Sequence, residues 1–218
     1  MKTRVFLADD HQLVRDGLKM LLEADPEIEV IGETADGRDA VRQVKKLEPD
    51  VVLLDVAMPE MNGIEAAEII HREVPGAALI ILSMYSTKEH IFRALRAGAS
   101  GYLLKESAAA EVVHAVREVR CGRRYLSSRV SEEVIDAFVH PGSAKNVSTP
   151  LEALSSRERQ ILQLVAEGKT SAQIAETLFL SPKTVDTYRS RLMSKLDIHD
   201  IAGLVRFAIQ QGLLSAES

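Results

Sequence analysis

Three carboxylates stand where apolar runs stop. Asp9 and Asp10 follow Arg4–Ala8, and Asp55 follows Val51–Leu54 before the chain turns through Met58 and Pro59 toward Gly63. A carboxylate at the end of a buried run costs solvation free energy unless a cation, hydrogen bonds or chemistry holds it there. If these runs are parallel strands of one sheet, their carboxyl ends share an edge. Acids gathered at that edge raise one another's pKa values. Magnesium relieves the repulsion, because it takes one or two carboxylates, keeps waters and accepts a phosphate oxygen. Ser83 and Lys105 close two further runs and add a hydroxyl and a mobile ammonium. A carboxylate nucleophile, a divalent cation, a hydroxyl and an ammonium together describe phosphoryl transfer, which runs on positioning and charge neutralisation. Singly, each residue reads as a cap, a turn or a solvated group; the set is the signal. His11 adjoins the acids and reads as structural, and no other histidines cluster.

A second constellation lies in Pro182–Lys195. At 100° per residue Val185, Tyr188, Leu192 and Leu196 form one stripe for a core. Lys183, Thr187, Ser190 and Ser194 face the other way, with Asp186 and Arg191 on the flanks and Arg189 near the core edge. Small polar residues and bases on one face suit entry into a DNA major groove. The bland alternative is a solvated helix face. Lys183, Arg189, Arg191 and Lys195 outweigh the lone acid Asp186 within Ser181–Lys195, although the chain's net charge is −5. Residues 148–218 hold equal numbers of acids and bases, so that surplus lies before them.

The elements that must position these groups are legible in the patterning. Strands are expected at Arg4–Ala8, Val30–Glu33, Val51–Leu54, Leu79–Ser83 and Gly101–Leu104. The amphipathic stretches between them include Val14, Leu18, Leu21 and Leu22 on one face, and Val112, Val113, Val116 and Val119 on another. These intervals suit right-handed crossover helices, and continuous apolar central strands imply burial on both faces. The expected fold is a five-stranded parallel, doubly wound α/β sheet. One further helix is expected at Ser131–Val139, and His140–Pro150 reads as a linker rich in turn formers. Four helices follow. Ser155 with Glu158 and Thr170 with Gln173 form capping-box patterns, Ser181-Pro182 opens a third helix, and Asp200 caps the last, which Gly212 ends. The turn Phe179-Leu180-Ser181 between Ser171–Leu178 and Pro182–Lys195 is short enough for a helix-turn-helix.

Composition fits this division. The chain has 218 residues, 46% of them apolar, enough for two cores. A lone cysteine, Cys121, excludes an internal disulfide framework and favours a reducing, cytoplasmic setting. MKTRVFLADD does not read as a signal peptide, and no window approaches the roughly 20 apolar residues of a membrane helix. No membrane partner is expected.

Asp9-Asp10, the Asp55…Met58-Pro59…Gly63 series, Ser83, Tyr102 and Lys105 resemble the receiver domain of a bacterial two-component response regulator. The resemblance covers about residues 3–120 and implies a flavodoxin-like sheet. It implies that Asp55 is the phosphoacceptor of a sensor histidine kinase. By the same resemblance Asp9, Asp10, Asp55 and the Ala57 carbonyl organise Mg²⁺, Lys105 pairs with the phosphate, and Ser83 and Tyr102 form the switch. Positions Ala57 and Tyr85 are implied to govern water access to the acyl phosphate. One departure is Glu106 after Lys105, where many receivers carry proline with a cis bond. Residues of about 150–214 resemble a LuxR-type helix-turn-helix domain, through Leu154-Ser155, Arg157-Glu158, Glu167-Gly168, Ile174-Ala175, Leu180-Ser181 and Thr184-Val185. Together the two resemble a NarL/FixJ-class transcriptional regulator. That implies DNA contacts from Lys183, Thr187, Ser190 and Arg191, and backbone contact from Thr170 and Ser171 at the start of the preceding helix. It also implies a homodimer on paired half-sites. Leu204, Val205 and Ala208 are a stripe for either dimerisation or core packing.

The expected division is a receiver at 1–122, a connector helix and linker at 123–149, and a DNA-binding domain at 150–218. Two rival readings remain at this stage. One is a phosphohydrolase of small substrates, but the aspartate-x-aspartate nucleophile motif of the haloacid-dehalogenase-type phosphatases is absent, since Asp55 is followed by Val56-Ala57. A regulator that never takes phosphate would carry the acidic pocket for structure alone.

Overall fold

The computed structural model describes residues 1–139, 150–151 and 153–214. The expected linker lies outside the described residues except for Pro150. The chain forms two compact units, Met1–Lys145 and Asn146–Ser218.

The first unit alternates strands and helices: β1 Thr3–Ala8, α1 Gln12–Glu23, β2 Ile28–Thr34, α2 Gly37–Leu47, β3 Val51–Asp55, α3 Gly63–Glu73, β4 Ala78–Ser83, α4 Lys88–Arg96, β5 Gly101–Leu104, α5 Lys105–Arg120, β6 Tyr125–Leu126 and α6 Ser128–Val139. All neighbouring strands are parallel, in the order β2-β1-β3-β4-β5-β6. Both faces are covered, which explains the unbroken apolar runs. Phe6, Val52, Leu54, Leu79 and Ile81 pack into one core with Ala40, Ile70 and Ile91 from α2, α3 and α4. Val5, Leu7, Leu53, Ile80 and Leu103 pack into the other with Leu18 and Leu22 of α1 and Val112 and Val116 of α5. Leu21, expected in the α1 stripe, is instead on its exposed side. The i+3 step from Leu18 to Leu21 falls about 60° short of a full turn, whereas the i+4 step to Leu22 passes it by only about 40° and stays on the buried face.

The sheet has six strands rather than five. The extra strand, β6, is two residues long and carries no apolar run for patterning to detect. Backbone bonds hold it: Tyr125 N donates to Ser100 O and Ser127 N to Tyr102 O, each at 3.0 Å. The helix after it begins at Ser128, three residues before the expected start, and buries Val130 and Ala137.

Side-chain caps start α2 and α3. Asp36 accepts from the amides of Arg38 and Asp39, and Asn62 from those of Ile64 and Glu65.

The second unit contains α7 Ser156–Ala166, α8 Ser171–Leu178, α9 Pro182–Leu196 and α10 Ile201–Gln210. Both capping boxes form, Ser181 accepts from Thr184 N, and Asp200 accepts from Gly203 N. One core joins Ile161, Leu164, Ile174, Leu178, Val185, Leu192, Leu204 and Ala208. Leu204 and Ala208 are therefore taken up by packing inside the unit, and the dimerisation reading of that stripe loses two of its three members.

Candidate functional site: an acidic pocket and a DNA-reading helix

β1 and β3 are adjacent, so their carboxyl ends deliver Asp9, Asp10 and Asp55 to one spot. Asp9 and Asp55 are almost fully buried, while Asp10 is partly exposed. Lys105, the first residue of α5, reaches in from beyond β5. Its Nζ lies 2.8 Å from Asp9 Oδ2 and 2.9 Å from Asp55 Oδ2. His11 Nδ1 lies 2.6 Å from Asp10 Oδ1, and His11 N donates to Asp9 Oδ1 at 2.9 Å. Arg15 donates to the Asp9 carbonyl at 2.6 Å.

One ammonium does not neutralise this many carboxylates. Burial raises the Asp55 pKa to about 7, the Asp9 charge adds to the rise, and Lys105 opposes it. Burial alone would lower the pKa of Lys105, but Asp55 and Asp9 hold it above its ordinary value. Buried Asp9 Oδ2 and Asp55 Oδ2 share the single Lys105 ammonium, and buried Asp10 Oδ1 faces His11 Nδ1. Ligand atoms of Asp9, Asp10, His11 and Asp55 lie within 4.8 Å of one another. Buried oxygens of this kind fit a hard cation such as Mg²⁺. Sequence reading set His11 apart as structural; its place against Asp10 puts it at the pocket's rim, a proximity that adjacency alone did not distinguish from a loop position.

Close backbone contact fixes the loop after Asp55. Val56 O accepts from both Met58 N and Gly63 N, which makes a three-residue turn centred on Ala57. A β-carbon on Gly63 would sit 2.0 Å from the Asp55 carbonyl oxygen, so only glycine lets α3 begin there.

Ser83 and Tyr102 meet at the backbone of Tyr85. Ser83 Oγ accepts from Tyr85 N at 3.0 Å, and the Tyr102 hydroxyl donates to Tyr85 O at 2.6 Å. Tyr102 is fully buried. Burial pushes its hydroxyl pKa up to about 12 against the lowering influence of Ser83. The Tyr85 ring in turn stacks on His90 of α4, with centroids 4.7 Å apart. The Lys105–Glu106 bond is trans, as are all peptide bonds among the described residues.

In the second unit α9 presents the face expected of it. Val185 and Leu192 are buried, Tyr188 and Leu196 partly so, and Lys183, Thr187, Ser190, Arg191 and Ser194 are exposed. Phe179 adopts a left-handed backbone at the end of α8, and Leu180 N donates back to Ala175 O, making the tight turn between the helices. The Thr187 and Ser190 hydroxyls donate to Lys183 O and Asp186 O, so their oxygens remain as outward acceptors. The Arg191 guanidinium lies 6.0 Å from the Tyr188 ring centre. A shallow groove of about 320 Å³ runs between Ser181, Lys183, Thr184, Thr187, Tyr188 and Arg191. Two bases of the stretch are engaged within the unit: Lys195 Nζ is 2.7 Å from the buried Glu158, and Arg189 donates to Ser171 Oγ at 2.8 Å. Thr170 is exposed and serves as the α8 cap.

An acidic pocket at the carboxyl edge of a doubly wound sheet, in one chain with a helix-turn-helix unit, defines a response regulator with a DNA-binding output. Comparison with known proteins agrees. Residues 5–117 match the model of the response regulator receiver domain, and residues 152–208 match that of the bacterial regulatory proteins of the luxR family. The transcriptional regulatory protein LiaR of Bacillus subtilis is 44% identical over 90% of this chain and 92% of its own length. The response regulator UvrY of Escherichia coli K12 is 39% identical over 98% of this chain and 97% of its own. Among solved structures, the RcsB response regulator of Salmonella typhimurium is 26% identical, with a TM-score of 0.59 over 94% of this chain and 97% of that one. A complex of RcsB with DNA gives 0.60 at 26% identity, over 95% and 98%. The chain belongs to the two-component response regulators with a receiver domain and a LuxR-type DNA-binding domain, and it is a transcriptional regulator.

Proposed function

We propose that Asp55 is the phosphoacceptor and that its modification by a sensor histidine kinase switches DNA binding. The observation carrying this reading is the convergence of buried Asp9 and Asp55 on the Lys105 ammonium beside Asp10. An Asp55 oxygen attacks phosphorus, the bond from phosphorus to the donor breaks, and the donor keeps the electron pair. Asp9, Asp10, Asp55 and the Ala57 carbonyl would hold Mg²⁺, which supplies charge neutralisation at the phosphoryl oxygens. Lys105 pairs with the transferred group, and Ser83 donates to it. Its hydroxyl proton is free to point there while its oxygen keeps the bond from Tyr85 N, and Tyr102, bonded to the same residue, is the second member of the switch. A coupling of about 1–3 kcal/mol suffices for such a link. Slow hydrolysis of the acyl phosphate, gated at Ala57 and Tyr85, would reset the protein without any separate substrate.

Lys183, Thr187, Ser190 and Arg191 read or grip the DNA major groove, while Thr170 and Ser171 place the start of α8 on the backbone. A homodimer would set two α9 helices roughly 34–36 Å apart on paired half-sites. The working domains are 1–122, the connector 123–149 and 150–218. The setting is cytoplasmic, in keeping with the lack, among the described residues, of a helix long and apolar enough to cross a membrane.

The test is phosphoryl labelling by a small phosphodonor with Mg²⁺, read by intact mass. The unaltered chain gains one phosphoryl group and Asp55→Asn gains none; equal labelling of both overturns the assignment. If the donor leaves DNA affinity of the unaltered chain unchanged, the pocket does not control the output.

A further inference from the structure

Asp186 is an acid exposed on a helix that faces a polyanion, where repulsion alone would weaken binding. Its surroundings give it a different use. Ser171 Oγ lies 2.6 Å from Asp186 Oδ1, and Arg189 NH1 lies 2.8 Å from the same Ser171 oxygen. The directions are forced, since a guanidinium only donates and an ionised carboxylate only accepts. The hydroxyl proton therefore goes to Asp186, and the oxygen's lone pair receives Arg189. Ser171 opens α8, whereas Asp186 and Arg189 sit one turn apart on α9, so this relay ties the two helices of the helix-turn-helix together. It spends one of the five N–H groups of Arg189, and the rest remain to meet a phosphate. The guanidinium is held beside the first turn of α8, the part of the unit expected to meet the DNA backbone.

We infer that Arg189 is a DNA-phosphate contact, and that Asp186 and Ser171 are positioning residues that aim it, so that this acid strengthens DNA binding. The inference rests on α9 being the DNA-reading helix. It adds a backbone contact to the outward residues Lys183, Thr187, Ser190 and Arg191.

The experiment measures affinity of the full chain, treated with phosphodonor, for a mixed-sequence duplex of about 30 base pairs over a range of salt, because phosphate contacts are sequence-independent. Arg189→Ala should weaken binding roughly tenfold and make the log–log salt slope shallower by about 0.9, one phosphate's worth. Asp186→Ala should weaken binding and make the slope shallower in the same direction. The double variant should match Arg189→Ala alone, because an aiming residue has nothing left to aim. Ser171→Ala deletes only the bridging hydroxyl and repeats the test if Arg189→Ala fails to fold. Tighter binding by Asp186→Ala, or an unchanged slope in both Arg189→Ala and Ser171→Ala, overturns the inference while leaving the DNA-reading helix in place. No duplex binding by the unaltered chain would overturn both.

Discussion

Lys105 Nζ lies 2.9 Å from Asp55 Oδ2, although β4 separates the strand that Asp55 ends from the strand that Lys105 follows. The ammonium opposes the rise of the Asp55 pKa caused by burial and Asp9. Replacing Lys105 with Met should push that pKa further up and leave less nucleophilic carboxylate at neutral pH. An upward shift of about one unit takes the ionised fraction at pH 7 from about a half to about a tenth, so the phosphoryl-labelling rate should fall roughly fivefold. The pH midpoint of labelling should move upward; an unmoved midpoint would separate Lys105 from the ionisation of Asp55.

The same pKa makes a prediction about stability without divalent cations. An unfolded aspartate titrates near 3.9, whereas folded Asp55 titrates at about 7. Between those values the folded chain holds a proton that the unfolded chain has lost. Asp55 therefore takes stability away as pH rises through that window, with the penalty complete above about 7. Asp55→Asn should accordingly gain on the unaltered receiver between pH 4 and 8, by up to a few kcal/mol at about 1.4 kcal/mol per pKa unit. Urea unfolding with a chelator at several pH values reads the difference. A gap that stays constant with pH would mean Asp55 is ionised throughout.

Much of this architecture was legible because burial writes itself into runs. β3 is apolar from Val51 to Leu54 and meets its first carboxylate at Asp55, so both the strand and the site residue could be read from one stretch. The caps at Ser155, Thr170 and Ser181 were equally readable, since each needs a specific side chain at a specific offset. β6 was not, because two residues held by backbone bonds leave no pattern. The helical period placed Lys183 outward and Arg189 near the core edge, but it did not show that Lys195 pairs with the buried Glu158, which lies on another helix. The meeting of Ser83 and Tyr102 at Tyr85 likewise depends on β4 and β5 lying side by side beneath the turn that follows β4, a pairing no local spacing encodes.

Gly63 links the fold to the chemistry. Its α-carbon stands so close to the Asp55 carbonyl that a methyl group would meet backbone, which has no rotamer to give. Gly63→Ala should cost about 1–3 kcal/mol, as overpacking does, and should shift Asp55 relative to Lys105. Labelling should fall more than the loss of folded protein explains. If unfolding free energy and labelling rate both match the unaltered chain, the close approach has no bearing on the pocket.

The DNA-binding unit carries its own buried acid. Glu158 is nearly fully buried, and burial alone would raise its pKa. The donors Lys195 and Ser155 overcome that and hold it below the ordinary carboxylate value. Its folded pKa is thus below its unfolded one, so its stabilisation is present above the unfolded value and fades as pH falls through the folded one. Removing Lys195 leaves the acid with the Ser155 donors alone. Breaking a fully buried pair costs about 3–5 kcal/mol. The Lys195 side chain is 44% exposed, so water screens part of the interaction and about 1–2 kcal/mol is expected for Lys195→Met. Hydrogen exchange in Ser156–Ala166 at pH 7 should quicken by the corresponding factor of about 5 to 30. At a pH low enough to protonate Glu158 in both states the variant and the unaltered chain should exchange alike, because a neutral acid no longer needs the ammonium. Equal exchange already at pH 7 would place Lys195 among the solvated bases, free for DNA, and would return to the α9 surface the charge that the fold has taken from it.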